Sequence, residues 1–183
     1  MTKKIAVILS GCGFLDGSEI HESVLTLLHL GKANADVSCF APNKAQAKVV
    51  DHGTKSDTSD ARNVLAESAR IARCEILPLE ELSANDFSAV IFPGGFGAAL
   101  NLCDFAVKGA ECTVEEQAGR VISEFHQARK PIGVICIAPV VAAKVLGDHG
   151  VELTIGNDVE IAQAIEKMGA VHIQKNVDEI HFD

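Results

Sequence analysis

Cys136 stands in Pro131-Ile-Gly-Val-Ile-Cys136-Ile-Ala-Pro139, a short aliphatic run that enters a cysteine and then a turn of small residues. The run is too short for a helix and is bounded by proline, which reads as a buried parallel strand. Val140-Val-Ala-Ala-Lys144-Val-Leu146 then has helix formers, with Pro139 tolerated in a first helical turn because its missing N–H costs nothing there. Strand, tight turn and helix place a side chain above the sheet edge, facing the free N–H groups of the next helix. A cysteine so placed is a candidate nucleophile, and the positive helix end favours its thiolate. The bland alternative is a buried thiol that packs as a small hydrophobe.

Two further stretches could wall the same crevice. Pro93-Gly-Gly-Phe-Gly97 carries three glycines in five residues, which permits positive φ and close approach of backbone N–H groups to a ligand. Ser10-Gly-Cys-Gly13 ends a first aliphatic run. Neither is a nucleotide loop: the first lacks the Gly-Lys-Ser/Thr of a phosphate loop, and the second lacks the third glycine of a dinucleotide fingerprint. The six cysteines, at 12, 39, 74, 103, 112 and 136, form no C-x-x-C pair and no zinc spacing. We therefore expect no metal, reduced thiols and a cytoplasmic compartment.

These loops need elements to hold them. Lys4–Leu9, Asp36–Ala41, Glu75–Pro78, Ala89–Phe92 and Val151–Ile155 are strand-like runs. Between them, helices are predicted from Ser18 as cap with Ile20, Val24, Leu27 and Leu28 on the core face, and over Ala61–Arg73 with Asp60 as cap. A third begins at a Thr113/Glu116 capping box and carries Val114, Ala118, Val121, Ile122 and Phe125; a fourth has Asn157 or Asp158 as cap and Val159, Ala162, Ile165 and Met168 as its stripe. Residues 43–60 read as a surface excursion without chemistry. Alternating strands and helices define an α/β fold, a mainly parallel sheet with helices on both faces, over a single domain spanning 1–183. Ligands of such folds bind outside the carboxyl ends of the strands, where all three loops converge.

The formal net charge of −9 argues against nucleic acid or an anionic membrane surface as partner, and the absence of Trp and Tyr removes most stacking platforms. No apolar stretch approaches the ~20 residues of a membrane helix.

Ile8-Leu-Ser-Gly-Cys-Gly13, Asp16-Gly-Ser-Glu-Ile-His-Glu22, Phe92-Pro-Gly-Gly-Phe-Gly-Ala98, Asn101-Leu102 and Cys136-Ile-Ala-Pro139 closely resemble the ElbB-type family, whose members are described as isoprenoid biosynthesis proteins with an amidotransferase-like domain. The resemblance runs from the first strand to about residue 180. It implies the flavodoxin-like three-layer sandwich of the class I glutamine-amidotransferase-like superfamily, shared with PfpI-type proteases and the Parkinson-linked deglycases. It also implies a glyoxalase that works without added cofactor on glyoxal or methylglyoxal, and a homodimer. By position, Cys136 matches the elbow nucleophile and Glu22 its acidic partner, with Glu19 as fallback. Gly94 and Gly95, with the N–H of Ile137, match the oxyanion hole. Asn101 either binds substrate or caps a helix, and Cys12 is a secondary thiol candidate. Helical spacing alone sets Glu22 about 200° from Ile20 and Val24 (~100° per residue), which would send it to solvent. Two departures stand out. Thr154–Gly156 holds no counterpart of the amidotransferase histidine, and the family usually continues for another strand and helix beyond residue 183. The competing class is a non-enzymatic redox sensor or accessory protein in which Cys136 is oxidised. His21, His126 and His149 read as surface residues, and Cys39, Cys74, Cys103 and Cys112 as structural or incidental.

Overall fold

The computed structural model describes residues 2–183. Its centre is a five-stranded parallel sheet in the order β5-β2-β1-β6-β7, built from β1 (Lys4–Ile8), β2 (Asp36–Ala41), β5 (Ile76–Pro78), β6 (Ala89–Phe92) and β7 (Ile132–Val134). Alternation along these strands divides the core in two, because successive side chains point to opposite faces. Ala6 and Ile8 of β1 and Phe40 of β2 enter one cluster, with Phe92, Phe125 and Val141. Val7, Leu9, Cys39 and Ala41 enter the other, with Val64 and Ile71. The larger cluster is covered by α3 (Phe96–Leu100), α5 (Glu116–Gln127) and α6 (Pro139–Leu146), and the smaller by α1 (Ile20–Lys32) and α2 (Val64–Ile71). This is the expected three-layer α/β sandwich. Phe92 and Phe125 are fully buried, so truncating either to Ala costs ~3–5 kcal/mol.

The α5 stripe of Ala118, Val121, Ile122 and Phe125 is buried as its spacing predicts. Its cap is Glu115, whose carboxylate accepts from the N–H of Ala118 at 2.8 Å, and not Thr113, whose own N–H is turned to Asp104. Likewise α2 starts at Val64 under Asn63 and not under Asp60. Residues 62–64 are held extended by Gln46 N–H to the Arg62 carbonyl and Val64 N–H to the Lys44 carbonyl. Those bonds belong to the 43–60 excursion, which is built: it holds a hairpin of β3 (Val49–Asp51) and β4 (Ser56–Thr58), with Val49 and Val50 buried.

The predicted strand at 151–155 shrinks to β8 (Glu152–Leu153), which pairs with β9 (Val171–His172) outside the main sheet. Gly156, at φ +75° and with its N–H on the Thr154 hydroxyl, turns the chain there. Between them α7 (Val159–Lys167) is capped by Asp158, as one of the two alternatives had it.

The largest correction concerns α1. Ile20, Val24 and Leu28, expected on the core face, are 43 to 47% exposed, Leu25 is 52% exposed, and Ser23 is the helix's one buried residue. Leu27 and Leu30 make the contacts with the smaller cluster. The helix is rotated so that its apolar stripe looks outward, and its opposite face, with Glu22, looks in.

Candidate active site

The strand order changes direction between β1 and β6, and the loops after β1, β6 and β7 meet at that point, as open α/β sheets require for a binding crevice. They are bonded backbone to backbone. Gly97 N–H reaches the Gly17 carbonyl at 2.9 Å, Phe96 N–H the Phe14 carbonyl at 2.8 Å, Glu19 N–H the Gly94 carbonyl at 2.8 Å, and Ile135 N–H the Phe92 carbonyl at 3.0 Å.

Cys136 occupies the turn between β7 and α6 with φ +60°. A non-glycine residue rarely adopts that left-handed conformation, and it persists where the surroundings impose it, as at a nucleophile elbow. Glu22 lies within hydrogen-bonding reach of the Cys136 sulfur, and its Oε2 accepts the N–H of Gly94 at 2.9 Å. The backbone amides of Gly95 and Ile137 lie near enough to the sulfur to favour its thiolate. Glycine is obligatory at 94, because a Cβ there would lie 2.3 Å from the Cys136 Cβ and 2.5 Å from Glu22 Oε2.

The inward face of α1 explains Glu22. The residue does sit across the helix from Ile20 and Val24, but those two face solvent, so Glu22 faces the crevice. Glu19 does not substitute for it. Its side chain caps α1, Oε2 accepting the N–H of Glu22 at 2.7 Å, and Oε1 lies 3.2 Å from the exposed His21. Ser18, expected as that cap, is buried and receives the N–H of Ser10 at 2.8 Å.

Other expected members separate. The Gly94 amide is committed to Glu22, which leaves Gly95 and Ile137 as the amides near the sulfur. Asn101 is 1% exposed and fully engaged: Nδ2 donates to the carbonyls of Ser10 and Asp16 at 2.8 and 2.9 Å, and Oδ1 accepts from Ala47 N–H at 2.9 Å. It ends α3 and ties the first loop and the 43–60 segment to it. Cys12 packs on the smaller cluster beside Val64 and Ile71, its thiol raised by burial and then by Glu67. Reasoning from sequence missed Asp16, buried with its carboxylate accepting Val50 N–H at 2.7 Å, and with it the role of the 43–60 segment in clamping the first loop. The one signal was Val49-Val50, an aliphatic pair in a polar stretch.

Burial pushes the Cys136 thiol above its ordinary value; the Gly95 amide pulls it back, and the Glu22 carboxylate raises it further. This reverses the expectation that the helix end would favour thiolate. Cys136 reaches solvent, with Gly94 packed between it and Glu22. Glu22 is also raised, by burial first, with its bonds to Cys136 and Gly94 opposing. Two acids that both resist ionisation side by side share a proton: a thiol donating to a carboxylate at rest, able to become thiolate and carboxylic acid.

A left-handed cysteine above a parallel sheet, backed by a carboxylate from the first helix, defines an amidotransferase-like α/β protein. No protein-family model matches the chain. It is 52% identical, over 98% of its own length and 70% of the relative's, to the human glutamine amidotransferase-like class 1 domain-containing protein 3, mitochondrial. A crystal structure of an isoprenoid biosynthesis protein with amidotransferase-like domain from Ehrlichia chaffeensis superposes with a TM-score of 0.87 at 41% identity, over 94% of this chain and 79% of that one. The chain belongs to this family of ES1 and amidotransferase-like class 1 domain proteins, as the motif resemblance implied. At 12% identity, glyoxalase III of Candida albicans shares the fold, with a TM-score of 0.61 over 94% of this chain and 83% of that one. The cytoplasmic expectation is overturned, because the rat, human and zebrafish relatives are all named as mitochondrial. Reduced cysteines had suggested the cytosol, but free thiols do not distinguish it from another reducing compartment. Among the described residues no helix is long and apolar enough to cross a membrane.

Proposed function

We propose that the protein is a cofactor-independent glyoxalase acting on small α-oxoaldehydes, glyoxal or methylglyoxal, through Cys136. The observation that carries this reading is the Cys136–Glu22 pair, with the amides of Gly95 and Ile137 near the same sulfur. Glu22 takes the thiol proton as the sulfur attacks one aldehyde carbon. The resulting hemithioacetal oxygen forms against the Gly95 and Ile137 amides and is protonated from Glu22. Glu22, again a carboxylate, removes the hydrogen from that carbon to give an enediolate and returns the proton to the neighbouring carbon, while the hydroxyl proton passes to the second oxygen. The product is a thioester of the 2-hydroxy acid, which water hydrolyses to free acid and Cys136 thiol. The aldehyde carbon is oxidised and its neighbour reduced, so no external redox partner is consumed. A raised Glu22 suits a group that must both accept and return a proton. The alternative of a low-pKa sensing thiol has less support, since Cys136 is raised.

The test is turnover of glyoxal and methylglyoxal by the purified protein and by Cys136→Ala. Wild type yields the hydroxy acid without additives and the variant falls to background; equal turnover by both would exclude Cys136.

The homodimer forms, in this reading, through the outward face of α1. Ile20, Val24 and Leu28 recur every fourth residue with Leu25 beside them, a ridge suited to antiparallel packing on a second copy. Leu25→Glu converts the dimer to monomer in light scattering at micromolar concentration; an unchanged mass would remove α1 from the interface.

A further inference from the structure

Cys103 and Cys112, to which the proposed chemistry assigns nothing, are neighbours in space. Cys103 pairs with Val114 in an antiparallel bridge, extended by Asp104 N–H to the Thr113 carbonyl at 3.2 Å and Glu115 N–H to the Leu102 carbonyl at 2.8 Å. Side chains two apart on an extended segment share a face, so Cys112 lies on the same side as Val114 and diagonal to Cys103. Both are buried, 3% and 2% exposed, in the larger cluster. The Cys103 thiol donates to the Ala98 carbonyl at 3.3 Å.

We propose that Cys103 and Cys112 are a second oxidisable centre, a dithiol that peroxide converts to a disulfide independently of Cys136. Cys112 is the attacking member. The neighbouring Cys103 thiol, and then the Lys144 ammonium on α6, hold the Cys112 thiol down to about 7, whereas Cys103 is raised by its Cys112 neighbour and by burial. Lys144 is fixed there by its bond to the Ala110 carbonyl at 3.0 Å. The Cys112 thiolate attacks one peroxide oxygen; the O–O bond breaks, hydroxide leaves and is protonated to water, and Cys112 becomes a sulfenic acid. The Cys103 sulfur then displaces the sulfenic oxygen, its proton leaving with that oxygen as a second water, and the S–S bond forms. Two thiols lose two electrons and one peroxide becomes two waters.

Access comes from the cover. Between the two cysteines runs α4 (Phe105–Lys108), a short surface helix with Val107 78% exposed, followed by Gly109 at φ +56°. So short and exposed a segment opens locally far more often than the sheet. Diagonal partners start somewhat far apart for a disulfide, and the same segment is what yields to close the distance.

The experiment treats the Cys74→Ser, Cys136→Ser protein with a few molar equivalents of hydrogen peroxide, denatures it, alkylates the remaining thiols and maps it with trypsin without reduction. Lys108 lies between the two cysteines, so the expected product is peptide 74–108 joined to peptide 109–120, two hydrogens lighter than their sum and separated by reductant. Wild type, needing no variant to fold, should give the same junction. Retention of both alkylated thiols, or oxygen added to Cys112 with no junction, would overturn the proposal. Because Cys136 is absent from the first protein, the result is independent of the glyoxalase reading.

Discussion

Cys136 and Cys112 each sit beside a second titratable side chain at the edge of the same core, yet their thiols are driven in opposite directions. Cys136 has a carboxylate for its neighbour and is raised; Cys112 has a thiol and an ammonium and is lowered to about 7. Burial opposes ionisation at both, so the sign of the neighbour decides. What Cys136 gains from an unfavourable partner is a place to put its proton, and with it the capacity for repeated turnover. Cys112 gains standing reactivity and nothing that would return a proton.

The sharpest way to break this contrast is Glu22→Gln. Removing the relay should lower glyoxal turnover by ~10²–10⁴-fold. It also removes the negative charge that opposes the thiolate, so Cys136 titrates lower and its alkylation by iodoacetamide at mildly alkaline pH becomes faster than in wild type. Turnover down with alkylation up is the signature of a proton relay. If both fell, Glu22 would be acting only by holding Gly94.

The contrast sharpens at the other thiol. Cys103→Ala should move the midpoint of Cys112 alkylation upward from about 7, and Lys144→Met should move it the same way by less, the order in which the two groups act on it. A downward move in either would reverse the assignment.

The elements behind Cys136 were legible because each carries a local signature: an aliphatic run, a Pro at a helix start, glycines after a strand. Glu22 was placed by resemblance and not by helical spacing, and the reason is physical. Periodicity reports that Ile20, Val24 and Leu28 share a face but not which way that face looks, and in α1 it looks outward. The clamp from the 43–60 segment was illegible for another reason. Its contacts run through backbone groups, Val50 N–H to Asp16 and Ala47 N–H to Asn101, and a backbone amide leaves no mark in composition. The caps were misplaced where a nearby acid or amide displaced the expected one, Glu115 for Thr113 and Asn63 for Asp60.

Asn101 carries a consequence for chemical ageing. Its amide nitrogen alone donates to the Ser10 and Asp16 carbonyls. Deamidation would exchange that nitrogen for oxygen, hardly changing the side chain's shape, and would set a buried negative charge against two carbonyl oxygens. The end of α3 is therefore tied to both ends of the first loop through one nitrogen atom, and its loss by spontaneous hydrolysis would loosen that tie while leaving Cys136 and Glu22 chemically intact.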